Sequence, residues 1–223
     1  MLSIWIGRAG SGKSARVLET IQRERENRPQ LLLVPEHTSH EAELDLCRFC
    51  GPTACRSAEV LTFQSLATRV LGETGGLADV TLDSGGKLLT MRRCLQELHT
   101  QLKVFGRPSQ RSAFLHQLTT LVDEFYAYQI APETLYHHVE DMEGAMGDKL
   151  RDVALIFAAY DAKLRHGGTD TRSRVQKLHD SLPQAHYLDG KDLYLDGFSF
   201  FNKQEESVLA LALRRCASVT VTL

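Results

Sequence analysis

The stretch "GRAGSGKS", residues 7–14, directly follows the apolar run "LSIWI" near the start of the chain. It satisfies the pattern GxxxxGK(S/T) of a phosphate-binding loop. Glycines let the backbone curl so that successive N–H groups point at phosphate oxygens, and the lysine places a cation against the β- and γ-phosphates. An ordinary glycine-rich turn is the alternative, but the position between an apolar strand and a helical segment favours the phosphate loop. The residues predicted to bind ATP are Gly7, Arg8, Ala9, Gly10, Ser11, Gly12, Lys13 and Ser14.

Short apolar runs typical of β-strands recur along the chain. They are Leu2–Ile6, Leu31–Val34, Glu59–Thr62, Leu193–Leu195 and Val219–Leu223. Several of these runs are continuously apolar, which indicates strands buried on both faces of a parallel sheet. Segments with helical periodicity, Ser14–Glu26 and Glu41–Phe49, separate the first three runs. The pattern therefore predicts an α/β fold with a parallel sheet.

The region between the third and fourth strands has helical periodicity throughout, as in Leu88, Leu95 and Leu102. We therefore predict a core in residues 1–80, an all-helical insertion in residues 81–188 and returning strands in residues 189–223. Phe125, Tyr126 and Tyr128 in the insertion fit packing between helices better than stacking on bases. The chain stops at Leu223, inside or at the end of the last apolar strand, so we expect it to be a fragment of a longer protein.

Composition and charge restrict the class of protein. The chain has 223 residues, of which 43% are hydrophobic, and this supports a globular core. A net charge of -2 requires any nucleic-acid contact to use a local groove instead of a broadly basic surface. The apolar runs are too short to cross a bilayer and no export signal is visible, so we expect a cytoplasmic protein without a membrane contact.

Five cysteines occur, an odd count that fits reduced thiols better than a disulfide framework. His37, His40, Cys47 and Cys50 could be written as a zinc site. However, the two cysteines lie one turn apart on a predicted helix, and the two histidines lie at its start. We therefore favour thiols packed in or near a core, without zinc.

A second part of the nucleotide site is predicted in "DLYLDGF", residues 192–198. Asp196 follows an apolar strand and is expected, with the hydroxyl of Ser14, to hold Mg²⁺ bound to the nucleotide. The next residue is Gly197, where an active helicase motor normally has glutamate. A glycine cannot orient the attacking water, so we expect ATP to bind and to be hydrolysed poorly. Glu205 is a candidate substitute, and no residue is assigned as catalytic.

The stretch "EVLTFQSLATRVL", residues 59–71, resembles the "TFHSLALRIL" type of motif that lines the path of single-stranded DNA in superfamily 1 helicases. Gln64 stands where that motif usually has histidine. This motif is one of four stretches whose order along the chain resembles that of the N-terminal helicase-like region of AddB. The other three are the phosphate loop, "LLLVPEHTSHEAEL" (residues 31–44) and "DGFSFFNKQEESVL" (residues 196–209). AddB is the second of the two subunits in the bacterial AddAB helicase-nucleases.

This resemblance implies a RecA-like ATPase core, the 1A domain, interrupted by a helical 1B domain. It implies a role in processing double-stranded DNA ends during recombinational repair, with an AddA-like partner supplying the active motor. In the family the second RecA-like domain, the nuclease domain and its iron-sulfur cysteines follow this region. None of Cys47, Cys50 and Cys55 is therefore assigned to an iron-sulfur cluster, and we expect this chain alone neither to unwind nor to cut DNA.

Loops at the carboxyl ends of parallel strands are where such sheets bind ligands. We therefore predict DNA contacts in Pro35–Ser39, at Thr38, and at Thr62, Phe63 and Gln64. The alternatives are strand-end capping and solvent exposure for Thr62 and Gln64, and burial for Phe63.

Two other functions stay open from the residues alone. A small-molecule or nucleoside kinase also begins with a phosphate loop, although residues 106–168 show neither an acceptor site nor an arginine-rich lid. A nucleotide-binding scaffold for a partner protein is the other possibility.

Overall fold

A computed structural model describes residues 1–51, 53, 56–77, 82–106, 112–166 and 173–223. The strands are β1 (Leu2–Trp5), β2 (Gln30–Leu33), β3 (Ala58–Leu61), β4 (Asp192–Leu195) and β5 (Ser218–Thr222). The helices are α1 (Lys13–Glu24), α2 (Ser39–Cys50), α3 (Phe63–Thr74), α4 (Ser84–Leu98), α5 (Ser112–Ala127), α6 (Pro132–Val139), α7 (Gly144–His166), α8 (Arg174–Ser181) and α9 (Lys203–Arg215). A short 3-10 helix, Glu36–Thr38, precedes α2.

The five strands form one parallel sheet in the order β1-β5-β4-β2-β3. The predicted α/β class is confirmed, and the sheet is consistent with a RecA-like core. Every residue of β2 and β4 is buried, as the continuous apolar runs predict. β1 differs because it is an edge strand, and Leu2 and Ile4 on one of its faces are 49% and 52% exposed.

Helices cover the sheet on both faces. On one face, Val17 and Ile21 of α1 and Leu46 of α2 pack with Leu32 and Tyr194 of the sheet. A second core contains residues of α3, α8 and α9 together with side chains of the sheet. Its members include Leu33, Leu66, Leu178, Leu195 and Val208. The carboxyl ends of β2, β3 and β4 are therefore held between two packed layers.

The chain divides into two compact units. The first comprises Met1–Leu77 and Arg174–Leu223, and the second comprises Ala78–Ser173. The chain thus returns to the first unit at Arg174, earlier than the boundary after residue 188 that we expected. The physical reason is that Val175, Leu178 and Leu182 are buried in the core shared with α3 and α9.

The described residues of the second unit form α4, α5, α6 and α7. Phe157 lies in their core, with ring centroids 5.1 Å from Phe125 and 5.4 Å from Tyr126. The hydroxyl of Tyr126 donates a 2.8 Å hydrogen bond to Asp161. Packing between helices therefore accounts for these two aromatic residues, while Tyr128 is 52% exposed.

Candidate functional site

The loop between β1 and α1 has a backbone that requires glycine. Gly10 and Gly12 have φ angles of 76° and 84°, in the left-handed region that other residues rarely adopt. A Cβ atom on Gly7 would lie 2.5 Å from the hydroxyl oxygen of Ser11. The glycines therefore allow the tight turn that a phosphate site needs, in which backbone N–H groups can point at an anion.

Lys13 and Ser14 begin α1 directly after this loop. The ammonium group of Lys13 donates hydrogen bonds to the carbonyl oxygens of Gly7 at 2.6 Å and Arg8 at 3.0 Å. The side chain of Lys13 thus lies over the same loop that would bind the phosphate. Ser14 is exposed in the first turn, where the helix dipole favours an anion.

Asp196 lies at the carboxyl end of β4, two strands away from β1 in the sheet. Its backbone N–H donates to the carbonyl oxygen of Leu33 at 3.1 Å. Its carboxylate oxygen Oδ1 accepts a hydrogen bond from the hydroxyl of Thr222, at the end of β5. The intervening strand, β5, therefore contacts Asp196 through the side chain of Thr222.

One cavity of about 250 Å³ brings three of the predicted residues together, namely Ser14, Thr38 and Asp196. Glu41 and Asp45 of α2 also line it. Its other lining residues are Val17, Leu18, Leu32, Val34, Ala42 and Gly197. Hydroxyl and carboxylate oxygens are the hard ligands that Mg²⁺ prefers, so Ser14 and Asp196 have the chemistry expected for an ion that a bound nucleotide also coordinates.

Gly197 follows Asp196 with a φ angle of 79°. Any other residue would be strained here, so restoring a glutamate at this position would also distort the backbone. The carboxylate of the suggested substitute, Glu205, is engaged in a helix cap. It accepts a 2.9 Å hydrogen bond from the N–H of Asn202, and the side chain of Asn202 accepts one from the N–H of Glu205. Burial raises the pKa of Glu205, whose carboxyl group caps α9.

The DNA-contact residues predicted after β3 separate into buried and exposed ones. Thr62 is 6% exposed and its side chain caps α3, while Phe63 is 5% exposed and packs edge-on against Phe198 at 5.8 Å. We therefore revise the prediction that Thr62 and Phe63 contact DNA directly, because the side chain of Thr62 is used in the cap and that of Phe63 in the core. Gln64 is exposed. In the other segment, Thr38 donates a 3.0 Å hydrogen bond to the carbonyl oxygen of Pro35.

An exposed aromatic residue was not among the sequence predictions. Phe200, between β4 and α9, is 72% exposed, whereas its neighbours Phe198 and Phe201 pack against the core with their rings 4.9 Å apart. The sequence signal that could have predicted it is the aromatic run "FSFF", residues 198–201, which follows Asp196 and Gly197 after the end of β4. Aromatic rings at the carboxyl edge of a parallel sheet are placed to meet a ligand.

One of the two thiols of α2, that of Cys50, contributes to packing. Cys50 is buried beside α1 and its Sγ lies 3.7 Å from the carbonyl oxygen of Leu18, while Cys47 is exposed. Within the described ranges, no group of three or more His, Cys, Asp or Glu side chains is arranged to hold a metal ion. Cys55 lies outside the described residues. Of the helices in the described part of the chain, none has the length and apolar character to span a membrane.

Comparison with known proteins identifies the family. Residues 4–223 match the family described as "ADDB, N-terminal". The whole chain is similar, at 34% identity, to the B subunit of the ATP-dependent helicase/deoxyribonuclease of Geobacillus thermodenitrificans. Proteins of the same name in Clostridium botulinum and Clostridioides difficile are 32% and 30% identical over 97% and 98% of the chain. The chain spans about one fifth of the length of these relatives. It therefore belongs to the family of AddB N-terminal regions.

Proposed function

We propose that this chain binds ATP with Mg²⁺ and hydrolyses it poorly, as the N-terminal helicase-like region of a helicase-nuclease component. The observation that carries this proposal is the cavity that both Ser14 and Asp196 line, with a glycine directly after Asp196. The similarity to proteins named as a component of an ATP-dependent helicase/deoxyribonuclease favours this function over the kinase that the residues also allowed.

The phosphate loop supplies the binding chemistry. Backbone N–H groups of the loop bind phosphate oxygens, and Lys13 exchanges its hydrogen bonds to Gly7 and Arg8 for the β- and γ-phosphates. Ser14 and Asp196 would hold Mg²⁺, which neutralises phosphate charge when bound.

We attribute poor hydrolysis to the residue that follows Asp196. Gly197 offers no carboxylate beside Asp196, and the carboxylate of Glu205 is engaged in the cap of α9. Glu41 and Asp45 of α2 also line the cavity, but the position next to Asp196, where an active motor has its catalytic glutamate, holds no carboxylate. Without that acid to orient and deprotonate water, the loop keeps the nucleotide bound and the γ-phosphate largely intact. We infer that ATP has a largely structural role in this region.

DNA is the proposed second ligand, and the carboxyl edge of the sheet is its proposed site. Gln64 at the start of α3 is exposed, and Phe200 offers an aromatic face. Such residues bind single strands by stacking on bases and by hydrogen bonds. These contacts do not need a broadly basic surface, which a chain of net charge -2 lacks. We propose that the full-length protein processes double-stranded DNA ends in recombinational repair together with an AddA-like partner that supplies the motor.

Equilibrium binding of a fluorescent ATP analogue to the 223-residue chain, with turnover measured in the same sample, tests the proposal. We expect Mg²⁺-dependent binding that Lys13→Ala weakens by about 10- to 100-fold, since a hydrogen bond to a charged group contributes roughly 1.5–3 kcal/mol. Lys203→Ala, which changes an exposed lysine of α9, is the matched control. Absence of binding, or steady turnover that Lys13→Ala abolishes, would overturn the proposal.

A further inference from the structure

The end of β5 contacts both halves of the proposed nucleotide site. The hydroxyl of Thr222 donates to Oδ1 of Asp196, and the carbonyl oxygen of Leu223 accepts a 2.9 Å hydrogen bond from the N–H of Gly7. We propose that Thr222 is a positioning residue for Mg²⁺, which acts by fixing the carboxylate of Asp196. This inference rests on the proposed binding of ATP with Mg²⁺.

The hydrogen bond restricts a side chain that would otherwise rotate. Asp196 is only half-buried and lines a cavity, so packing alone does not fix its carboxylate. The donor is rigid, because Thr222 is 3% exposed and branched at Cβ. With Oδ1 held by this hydrogen bond, the carboxylate is oriented so that Oδ2 and the remaining lone pair of Oδ1 can bind the ion or its bound water. Partners of this kind orient a metal ligand and tune the affinity for the metal.

The position of Thr222 in the sheet explains why this residue can act on the site. β5 lies between β1, which leads into the phosphate loop, and β4, which ends before Asp196. Trp5 pairs with Thr222, and the N–H of Leu223 donates to the carbonyl oxygen of Trp5 at 2.9 Å. The strand end therefore sets the spacing between the loop and the carboxylate, two groups that must share one ion.

A purely structural role for the hydroxyl is the competing explanation, and Thr220 provides the matched control. Thr220 lies two residues earlier on the same face of β5 and is 6% exposed. Replacing either threonine by valine keeps the shape and removes a buried hydroxyl. Thr222→Val alone removes the hydrogen bond to Asp196.

The test is a Mg²⁺ titration of ATP-analogue binding to the 223-residue chain, with a parallel measurement in EDTA. We expect Thr222→Val to raise the half-saturating Mg²⁺ concentration by about 10-fold while leaving binding in EDTA unchanged. Thr222→Ser should behave as the wild type, and Thr220→Val should have no effect. In an Asp196→Ala background, Thr222→Val should cause no further change, because the two residues act as one unit.

An unchanged Mg²⁺ dependence in Thr222→Val, or an equal effect in the Asp196→Ala background, would overturn the inference. If Thr222→Val does not fold, Thr222→Ala removes the same hydroxyl and decides between the same outcomes. Absence of nucleotide binding by the wild type would instead overturn the proposed function on which the inference rests.

Discussion

Thr62 and Ser65 cap α3 reciprocally. The N–H of Ser65 donates to the hydroxyl oxygen of Thr62 at 3.2 Å, and the N–H of Thr62 donates to the hydroxyl oxygen of Ser65 at 2.7 Å. The two side chains satisfy backbone groups that the first turn of a helix leaves without partners. The hydroxyl of Thr62 therefore stabilises the helix that follows β3.

Thr62→Ala should lower the free energy of unfolding by about 1 kcal/mol, because an N-cap is lost. Single-stranded DNA affinity per folded molecule should stay the same. Urea unfolding and DNA binding by fluorescence anisotropy measure the two effects. Ser65→Ala should have a similar cost, and the double variant should cost less than the sum of the two. A loss of DNA affinity in stable Thr62→Ala protein would contradict this assignment.

Phe200→Ala should weaken binding of single-stranded DNA by about 1–3 kcal/mol, the usual contribution of one aromatic ring stacked on a base. Thermal stability should hardly change, since the ring is 72% exposed. Tyr128→Ala, which removes a ring that is 52% exposed in the helical unit, is the control. Equal affinities for the wild type and Phe200→Ala would show that the ring does not bind DNA.

Asp152→Ala should destabilise the helical unit by about 3 kcal/mol, because three backbone donors lose a buried carboxylate. That carboxylate is 2% exposed and accepts hydrogen bonds from the N–H groups of Lys103, Val104 and Phe105 at 2.7–3.0 Å. Thermal unfolding and hydrogen exchange of these three amides provide the measurement. Asp148→Ala, one turn earlier on α7, should change stability little, since its ion pairs with Lys103 and Arg151 are screened by solvent. Equal losses in the two variants would argue against the buried hydrogen bonds as the cause.

Burial should protect two thiols from alkylation. It raises the pKa of Cys94 to about 11 and that of Cys216 to about 12, so both are neutral at pH 8 in the folded protein. Among the four cysteines that the structure describes, Cys47 is exposed and should react first with iodoacetamide, as peptide mass mapping would show. The folded pKa values lie above the reference value of 9.0, so the unfolded chain ionises first and stability should fall as the pH rises above about 9. Rapid modification of Cys216 at pH 8 without unfolding would contradict this picture.

The elements of the fold were predictable because their signals are local. Strand and helix positions follow from the period of apolar residues within a few turns of chain, and the phosphate loop is contiguous in sequence. The predicted strands and the structure agree within one or two residues, for example Leu193–Leu195 against Asp192–Leu195. The end of the helical insertion was harder to place, because α8 has the same period as the helices before it and belongs to the first unit by its packing.

The candidate site was predictable only in part, because side-chain partners come from distant parts of the chain. Thr62 and Phe63 match a DNA-contacting motif in sequence, yet one caps a helix and the other lies in the core. Glu205 has the right chemistry to activate water, but its carboxylate accepts a hydrogen bond from the N–H of Asn202 and caps α9. Residue type decides what a side chain can do, and its neighbours in space decide which of those roles is used.

The sequence by itself determined the α/β class, the glycine pattern that we propose binds phosphate and the absence of an acid at position 197, since each depends on contiguous residues and their backbone preferences. Only the tertiary structure decided that β5 lies between β1 and β4. That order of strands brings Thr222 to Asp196, which is 26 residues earlier in the sequence. It also brings Leu223 to Gly7, which lies near the opposite end of the sequence. The physical reason is that strand order depends on how the helices and the sheet bury their apolar faces together, which no local pattern records.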